Sequence, residues 1–380
     1  MPKKNATAHT RSRWQTLNSM KNILLLLCIF ILGLETSFSQ KISDEGLQIY
    51  WEKMQIIESG KELSNVDLME IWNAPGYNHY NSQTASQDIY NEYYNLVYLP
   101  DLQDSLQNRL RNNDYSFISS YIIRYLNEAK LKRLELEKFI QNLKTSNIIN
   151  DGKAKALKYL PKTFKLKNDN TIIAFTLIVP DSEAIPENGL IRIDALNAYK
   201  LGNNFDKLLG HELHHLYLLN YFSKLRKIDE LDKYPDLIYS IHKLRLEGIA
   251  DLIDKNDILE KTNKSDYELE FCKYYKESKS RFQKMDYLIQ EIVDDELMFT
   301  TNGKKISREL PFGGHPNGLY MAHLIEREYG KNGILKCLEN PFVFIQLYNE
   351  ASKQNPEKYY TFSDVAMNYL KKLELEWIED

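Results

Sequence analysis

Asn203–Leu216 reads NNFDKLLGHELHHL and contains the pattern H-E-x-x-H. Asn204 is a natural N-cap and Asp206 suits the positive end of a first turn, so a helix is expected over 204–222. Residues four apart stack on one helix face, so His211 and His215 can turn two imidazole nitrogens toward one tetrahedral ion, and zinc suits such donors. Glu212 follows the first histidine and projects beside the ion rather than onto it, where it can take a proton from a water the metal activates. His214 is a spare that packs or points away. Histidine is scarce, eight in 380 residues, and with that frequency chance produces the pattern in roughly one such chain in a hundred. Gly210 inside the helix costs about 1 kcal/mol relative to Ala. It marks a close approach there, expected from a sheet packing on the helix.

Two histidines and a water leave zinc one protein ligand short. The extended metzincin pattern needs Gly at 218 and His at 221, and this chain has Leu218 and Tyr221. Downstream, Asp236–Asp254 carries apolar residues at helical spacing and contains Glu247-Gly248-Ile249-Ala250-Asp251. Glu247 and Asp251 share a face, a mild repulsion that a dication removes. Glu247 is the expected third ligand of a single zinc ion, with Asp251 accepting the free ring N–H of a ligand histidine. The competing reading pairs Glu247 with Lys243, four residues earlier, on a solvated face. Gly248 and Ala250 favour the ligand role, because small residues let this helix lie close against the first.

His211-Glu212-Leu213-His214-His215 and Glu247-Gly248-Ile249-Ala250-Asp251 together resemble the gluzincins, the thermolysin-like branch of zinc metallopeptidases, and most closely a group of exported bacterial proteins described as zinc-dependent proteases. The resemblance covers Thr171 to Asp254 and the segment around His315; residues 41–165 match nothing in it, and the two motifs lie further apart than in thermolysin itself. It implies peptide-bond hydrolysis, with a peptide or protein as substrate. It also implies a strand ahead of the metal helix, Leu190–Leu196, acting as the edge strand that holds extended substrate. Gluzincins commonly draw a Tyr or His from the C-terminal part to stabilise the oxyanion. Here His315 or Tyr320, in the glycine-bearing segment Gly313–Ala322, is the candidate; a plain structural role remains open for each. His242 and His323 read as incidental.

Outward from the motif, Thr171–Val179 (TIIAFTLIV) and Leu190–Leu196 (LIRIDAL) read as strands of one small sheet. Helical periodicity resumes at Phe205 and runs almost to the end, interrupted by the Gly/Pro-bearing segment Thr301–Pro316. Upstream, Ser116–Thr145 reads as one long helix. Tyr77–Tyr98, rich in Tyr, Asn, Ser and Gln, reads as an irregular loop rather than a glycan- or peptide-binding surface. The fold class is therefore α+β and predominantly helical: a helical N-terminal region over 40–165, then a catalytic region over 166–380. That region comprises the sheet with an edge strand packed on the H-E-x-x-H helix, the Glu-ligand helix over 236–254, and a helical C-terminal lobe over 262–380.

Residues 1–39 read as an export signal. Ile23–Leu34 is apolar but shorter than the roughly 20 residues a bilayer span needs, with Lys21 before it and the small residues Ser37 and Ser39 after it. Met20 makes a more typical start than Met1, which suggests that 1–19 are a misassigned start. Leu27 before Cys28 excludes a lipid-attachment site. A periplasmic or extracellular location follows, with no membrane contact beyond the signal. Hydrophobic (43%), aromatic (12%) and charged (27%) fractions are those of an ordinary globular chain. Without the five basic residues and one acidic residue of 1–39, the net charge moves from −4 to −8, which removes any electrostatic case for a nucleic-acid partner. Cys272 and Cys337 are too few for a disulfide framework. The rival from another class is an exported zinc-containing binding or scaffold protein without activity, and a fourth protein ligand closing the metal would mark it. A helical scaffold with no metal is a third reading.

Overall fold

Lys41–Ser43 (β1), Ile172–Thr176 (β2), Glu183–Ile185 (β3) and Leu190–Asp194 (β4) form one sheet in the order β1-β2-β4-β3. The structure, a computed structural model, describes residues 41–78, 84–111, 118–164, 170–178, 182–185, 189–222 and 235–377; the export signal read at 1–39 lies outside them. β2 and β4 pair in parallel, Ile172 opposite Leu190 through Thr176 opposite Asp194, and β1 adds in parallel to β2. β3 pairs antiparallel with β4. Every residue of β4 is buried, as in a strand covered on both faces. The strand expected to be an edge, Leu190–Leu196, is thus an interior strand, and the edges are β1 and β3. β4 also stops at Asp194, because Asp194 accepts the Asn197 N–H and caps the helix that begins at Ala195.

Between β1 and β2 run Glu45–Glu58 (α1), Asn65–Asn73 (α2), Thr84–Tyr98 (α3), Gln103–Arg111 (α4), Ile118–Leu131 (α5), Arg133–Lys144 (α6) and Ile148–Leu157 (α7). The loop expected over 77–98 is largely helical. Tyr90, Tyr94 and Tyr98 recur every four residues on α3 and are buried against Tyr50, Trp72 and Tyr77. Two of these tyrosines reach backbone: Tyr90 donates to the Ile178 carbonyl at 2.9 Å, and the Leu177 N–H donates to the Tyr77 hydroxyl at 2.9 Å. Tyrosine supplies apolar area and a polar tip together, so a composition that resembles a loop builds a core. The long helix expected over 116–145 is two helices. The backbone leaves the helical region at Lys132 (φ −103°, ψ 15°), and Leu131 and Leu134 beside the break face solvent.

After β4 come Ala195–Leu201 (α8), Phe205–Tyr221 (α9), Asp236–Asp254 (α10), Asn256–Glu260 (α11), Asp266–Lys276 (α12), Ser278–Asp294 (α13), Phe299–Glu309 (α14), His315–Lys336 (α15), Pro341–Ser352 (α16) and Asp364–Trp377 (α17). The C-terminal lobe is helical as read; its Gly/Pro segment is helical through Glu309, and the turn is confined to Leu310–Gly314. One continuous apolar core runs from Ile42 to Leu373 and holds both the N-terminal and C-terminal helices. Cys272 and Cys337 are buried free thiols. No helix among the described residues is long and apolar enough to cross a membrane.

Asp194 gives the fold a pH signature. Burial raises its carboxyl to about 7, against the opposing pull of the Tyr125 hydroxyl, the Asn197 N–H and the Arg192 charge. In the unfolded chain it titrates near 3.9. Native protein therefore holds a proton that unfolded chain releases, and the stability this proton gives is complete only below about pH 4 and is lost as pH rises to about 7. Asp194→Asn cannot ionise, so its stability relative to wild type should improve between pH 4 and pH 7 by on the order of 3 kcal/mol. Urea melts of both proteins at the two pH values check this; a difference that stays constant would show Asp194 to be ionised throughout.

Candidate metal centre

α9 is buried along almost its whole length, from Phe205 to Leu219, so its polar residues need a compensating role. The helix starts where the sequence places it, but Asn204 makes no side-chain cap bond, and Asp206 instead pairs with Lys155 of α7 at 2.7 Å. Gly210 does mark a close approach, to a different neighbour. A Cβ there would lie 2.9 Å from Lys155 Cβ and 3.1 Å from both the Gly152 carbonyl oxygen and Ile253 Cγ2. Helices α7 and α10 require the glycine, and the sheet does not.

Three donors converge between α9 and α10. His211 Nε2 lies 2.9 Å from His215 Nε2, His215 Nε2 lies 3.0 Å from Glu247 Oε2, and His211 Nε2 lies 3.5 Å from the same oxygen. A tetrahedral zinc with bonds near 2.0–2.1 Å holds its ligand atoms about 3.3 Å apart, and the observed spacings bracket that value. The chemistry also fits, since two imidazoles and one carboxylate are a known catalytic zinc set. Lys243 does pair with Glu247, but through Oε1 at 3.1 Å. The pairing therefore leaves the second oxygen of the same carboxylate available for a ligand role. Glu212 is buried, 5% exposed, beside these groups.

Around the three donors the acids divide differently from the sequence reading. Asp251 was expected to hold a ligand histidine. It instead accepts from His315 Nδ1 at 2.9 and 3.1 Å and stands 3.6 Å from His211 Nδ1. Asp254 accepts from His211 Nδ1 at 3.0 Å and is paired in turn with Lys255. Glu247, Asp251 and Asp254 follow at i, i+4 and i+7, one helical stripe. That stripe was the available signal for Asp254. His315 opens α15 after a turn in which Phe312, Gly313 and Gly314 all have positive φ. Its ring stacks on His211 at 5.7 Å, with Nε2 3.4 Å from Glu247 Oε2. His211, Asp251 and His315 thus form a second cluster of possible ligand atoms beside His211, His215 and Glu247. Tyr320 does not join them. Five residues along a helix is a turn of about 500°, which carries it roughly 140° from His315, and its hydroxyl donates to the Lys358 carbonyl at 3.0 Å.

Electrostatics follow the geometry. Burial alone would lower the His211 imidazole, but the Asp254 charge and hydrogen bond, with Glu247 and Glu212, hold it well above its ordinary value. Burial lowers His215 despite Glu247. Burial would raise Glu247, yet His315, His215 and Lys243 hold it well below the usual carboxylate range. His315 is raised, because Asp251 and Glu247 outweigh its burial. His214 lies on the buried side of α9 and burial holds it neutral. His242 contacts Arg245, and His323 contacts Tyr275 and Asn256.

The centre opens into a cleft of about 1170 Å3, bordered by Tyr125 and Glu128 of α5, Glu183 and Ile185 of β3, and Tyr267 of α12. The N-terminal helical region, which lies outside the resemblance, thus supplies one wall through α5. Residues 68–357, about three quarters of the chain, match the DUF5700 family model, described as "Putative zinc dependent peptidase". The chain belongs to this family. Comparison with curated proteins and with solved structures gives no match. The matched span holds the three converging donors, both outer carboxylates, His315 and all three walls of the cleft.

The division between Asp254 and Asp251 is testable through the metal itself. Asp254→Asn removes the acceptor that fixes the His211 ring, and outer-shell losses of this kind cost about 10- to 100-fold in metal affinity. Asp251→Asn should leave zinc affinity nearly unchanged. Competition titrations with a chromophoric chelator measure both, and a larger loss in the Asp251 variant would reverse the assignment.

Proposed function

We propose that the protein is an exported zinc-dependent peptidase of gluzincin type, hydrolysing peptide bonds at a single zinc held by His211, His215 and Glu247. The observation that carries this reading is the approach of His211 Nε2, His215 Nε2 and Glu247 Oε2 to within 2.9–3.5 Å of one another beside the buried Glu212. When bound, zinc supplies Lewis acidity that polarises a peptide carbonyl and acidifies water. Glu212 takes the proton of the attacking water and delivers it to the leaving amine. His315, its Nδ1 held by Asp251, presents Nε2–H to the carbonyl oxygen as negative charge grows there. Lys243 occupies Glu247 Oε1, so Oε2 alone faces the imidazoles. Glu183–Ile185 is the last strand of the sheet and borders the cleft, and a substrate laid along it would add as a further strand.

Export rests on the apolar run Ile23–Leu34 between Lys21 and the small residues Ser37 and Ser39, and it places the enzyme in the periplasm or beyond. The acidic balance of residues 40–380 argues against nucleic acid, and a peptide or protein substrate follows from the peptidase reading. A second reading, a zinc-bearing binding protein without turnover, draws on one observation: His315 Nε2 lies 3.4 Å from Glu247 Oε2, where it could complete a closed metal shell. Digestion of a mixed peptide pool separates the two. The zinc-loaded protein should cut the pool, stop on chelation and resume on zinc addition; an intact pool at full zinc occupancy would leave the binding protein as the reading.

A further inference from the structure

We infer that the cleft is built for the interior of a polypeptide and not for a chain end, an inference that rests on the peptidase reading above. An enzyme that trims termini needs a fixed charge at a set distance from the scissile bond to hold the terminal ammonium or carboxylate. Among the described residues that border this cleft, the lysines are already matched to carboxylates. Lys200 of α8 meets Glu128 of α5 at 2.7 Å, and Lys207 of α9 pairs with Asp257 of α11. Lys261 meets Glu268 of α12 at 2.8 Å, and that carboxylate also completes the capping box with Ser265.

Nearer the metal centre the pattern repeats, with Lys243 on Glu247 and Lys255 on Asp254. Each lysine that borders the cleft among the described residues thus has a carboxylate partner that borders it too. Three further ionisable residues that border the cleft are also engaged. Glu183 on the edge strand faces the buried Arg192 at 3.5 Å, Asp194 accepts from Tyr125 and from the Asn197 N–H, and Arg124 donates to the Leu110 carbonyl.

A substrate terminus binding any of the paired lysines or carboxylates would break an existing pair and leave one charge unmatched, so it gains no net ion pair. A peptide interior asks for something else, backbone partners and neutral side-chain surfaces. The cleft provides both, in the edge strand β3 and in Tyr121, Ile185, Tyr239, Leu246 and Tyr267.

The test uses a randomised ten-residue peptide pool in two forms, with free ends or with the N-terminus acetylated and the C-terminus amidated, digested by the zinc-loaded full chain and read by mass spectrometry. Internal cuts in both pools at rates agreeing within threefold are expected. Stepwise loss of one or two residues from an end, or a tenfold drop on blocking either end, overturns the inference and keeps the peptidase reading. A binding measurement is independent of turnover: zinc-loaded Glu212→Gln should hold a fluorescent decapeptide with free or blocked ends equally within threefold, and tenfold tighter binding of the free-ended form overturns the inference. If neither pool is cut, hydrolysis fails as the function and the binding comparison still decides the charge argument.

Discussion

The Glu212→Gln variant is expected to bind zinc like the wild-type protein and to lose peptide hydrolysis by about 10³-fold, the middle of the range for removing a positioned general base. That factor corresponds to about 4 kcal/mol of transition-state stabilisation. The substitution keeps the shape of the side chain, and Glu212 is not among the three donors that converge between α9 and α10, so neither fold nor metal content should follow the activity down. His211→Ala is the contrasting case. It deletes one of the three donors and also the ring that Asp254 holds, and activity should then fall together with zinc content. The pair of variants separates proton transfer from metal binding. Elemental analysis and kcat/KM on purified protein give the result, and turnover retained in Glu212→Gln at full zinc occupancy would remove Glu212 from the base role.

The contrast between the two motifs and their surroundings shows what a sequence carries. Spacing along one helix is local, so steps of three and four residues were enough to bring His211 and His215 to one side of α9 and to place Glu247, Asp251 and Asp254 on one stripe of α10. Strand character was also local: the β-branched runs at 172–176 and 190–194 are strands. What the sequence could not hold was the identity of neighbours. It marked Gly210 as a close approach but not that α7 and α10 make it, and it marked Gly248 as small without revealing Gly318 of α15 opposite. That β4 is interior depends on β3, three residues between segments of little pattern. The aromatic packing that turns 84–98 into a helix depends on Tyr50 and Trp72, supplied by α1 and α2. Likewise nothing local distinguishes Asp251 from Asp254 as the holder of His211; the choice is made by where α15 sets His315.

Gly318→Ala should therefore be among the most damaging small substitutions in the chain. A Cβ at 318 would sit 2.3 Å from the Leu244 carbonyl oxygen and 2.9 Å from Gly248 Cα, and one at 248 would sit 2.4 Å from Gly318 backbone. Both obstacles are main chain, so no side-chain rotation relieves them. Alanine is worth about 1 kcal/mol over glycine inside a helix, but relief of the clash requires α10 and α15 to part. Overpacking of this kind costs roughly 1–3 kcal/mol, with the upper end expected because the contact is backbone on backbone. The net should be a loss of about 2 kcal/mol in denaturant melts. Activity should suffer more than stability. α10 carries Glu247 and Asp251 while α15 carries His315, so separating these helices pulls His315 Nε2 away from its 3.4 Å approach to Glu247 and strains its bond to Asp251. A displacement near 1 Å at a reacting centre can cost about 10²-fold. Folded, zinc-loaded Gly318→Ala should accordingly show kcat/KM lowered by that factor under conditions where the melt proves it native. Full activity in a destabilised variant would mean that His315 does not act in turnover, and unchanged stability would mean that the two helices are not in backbone contact.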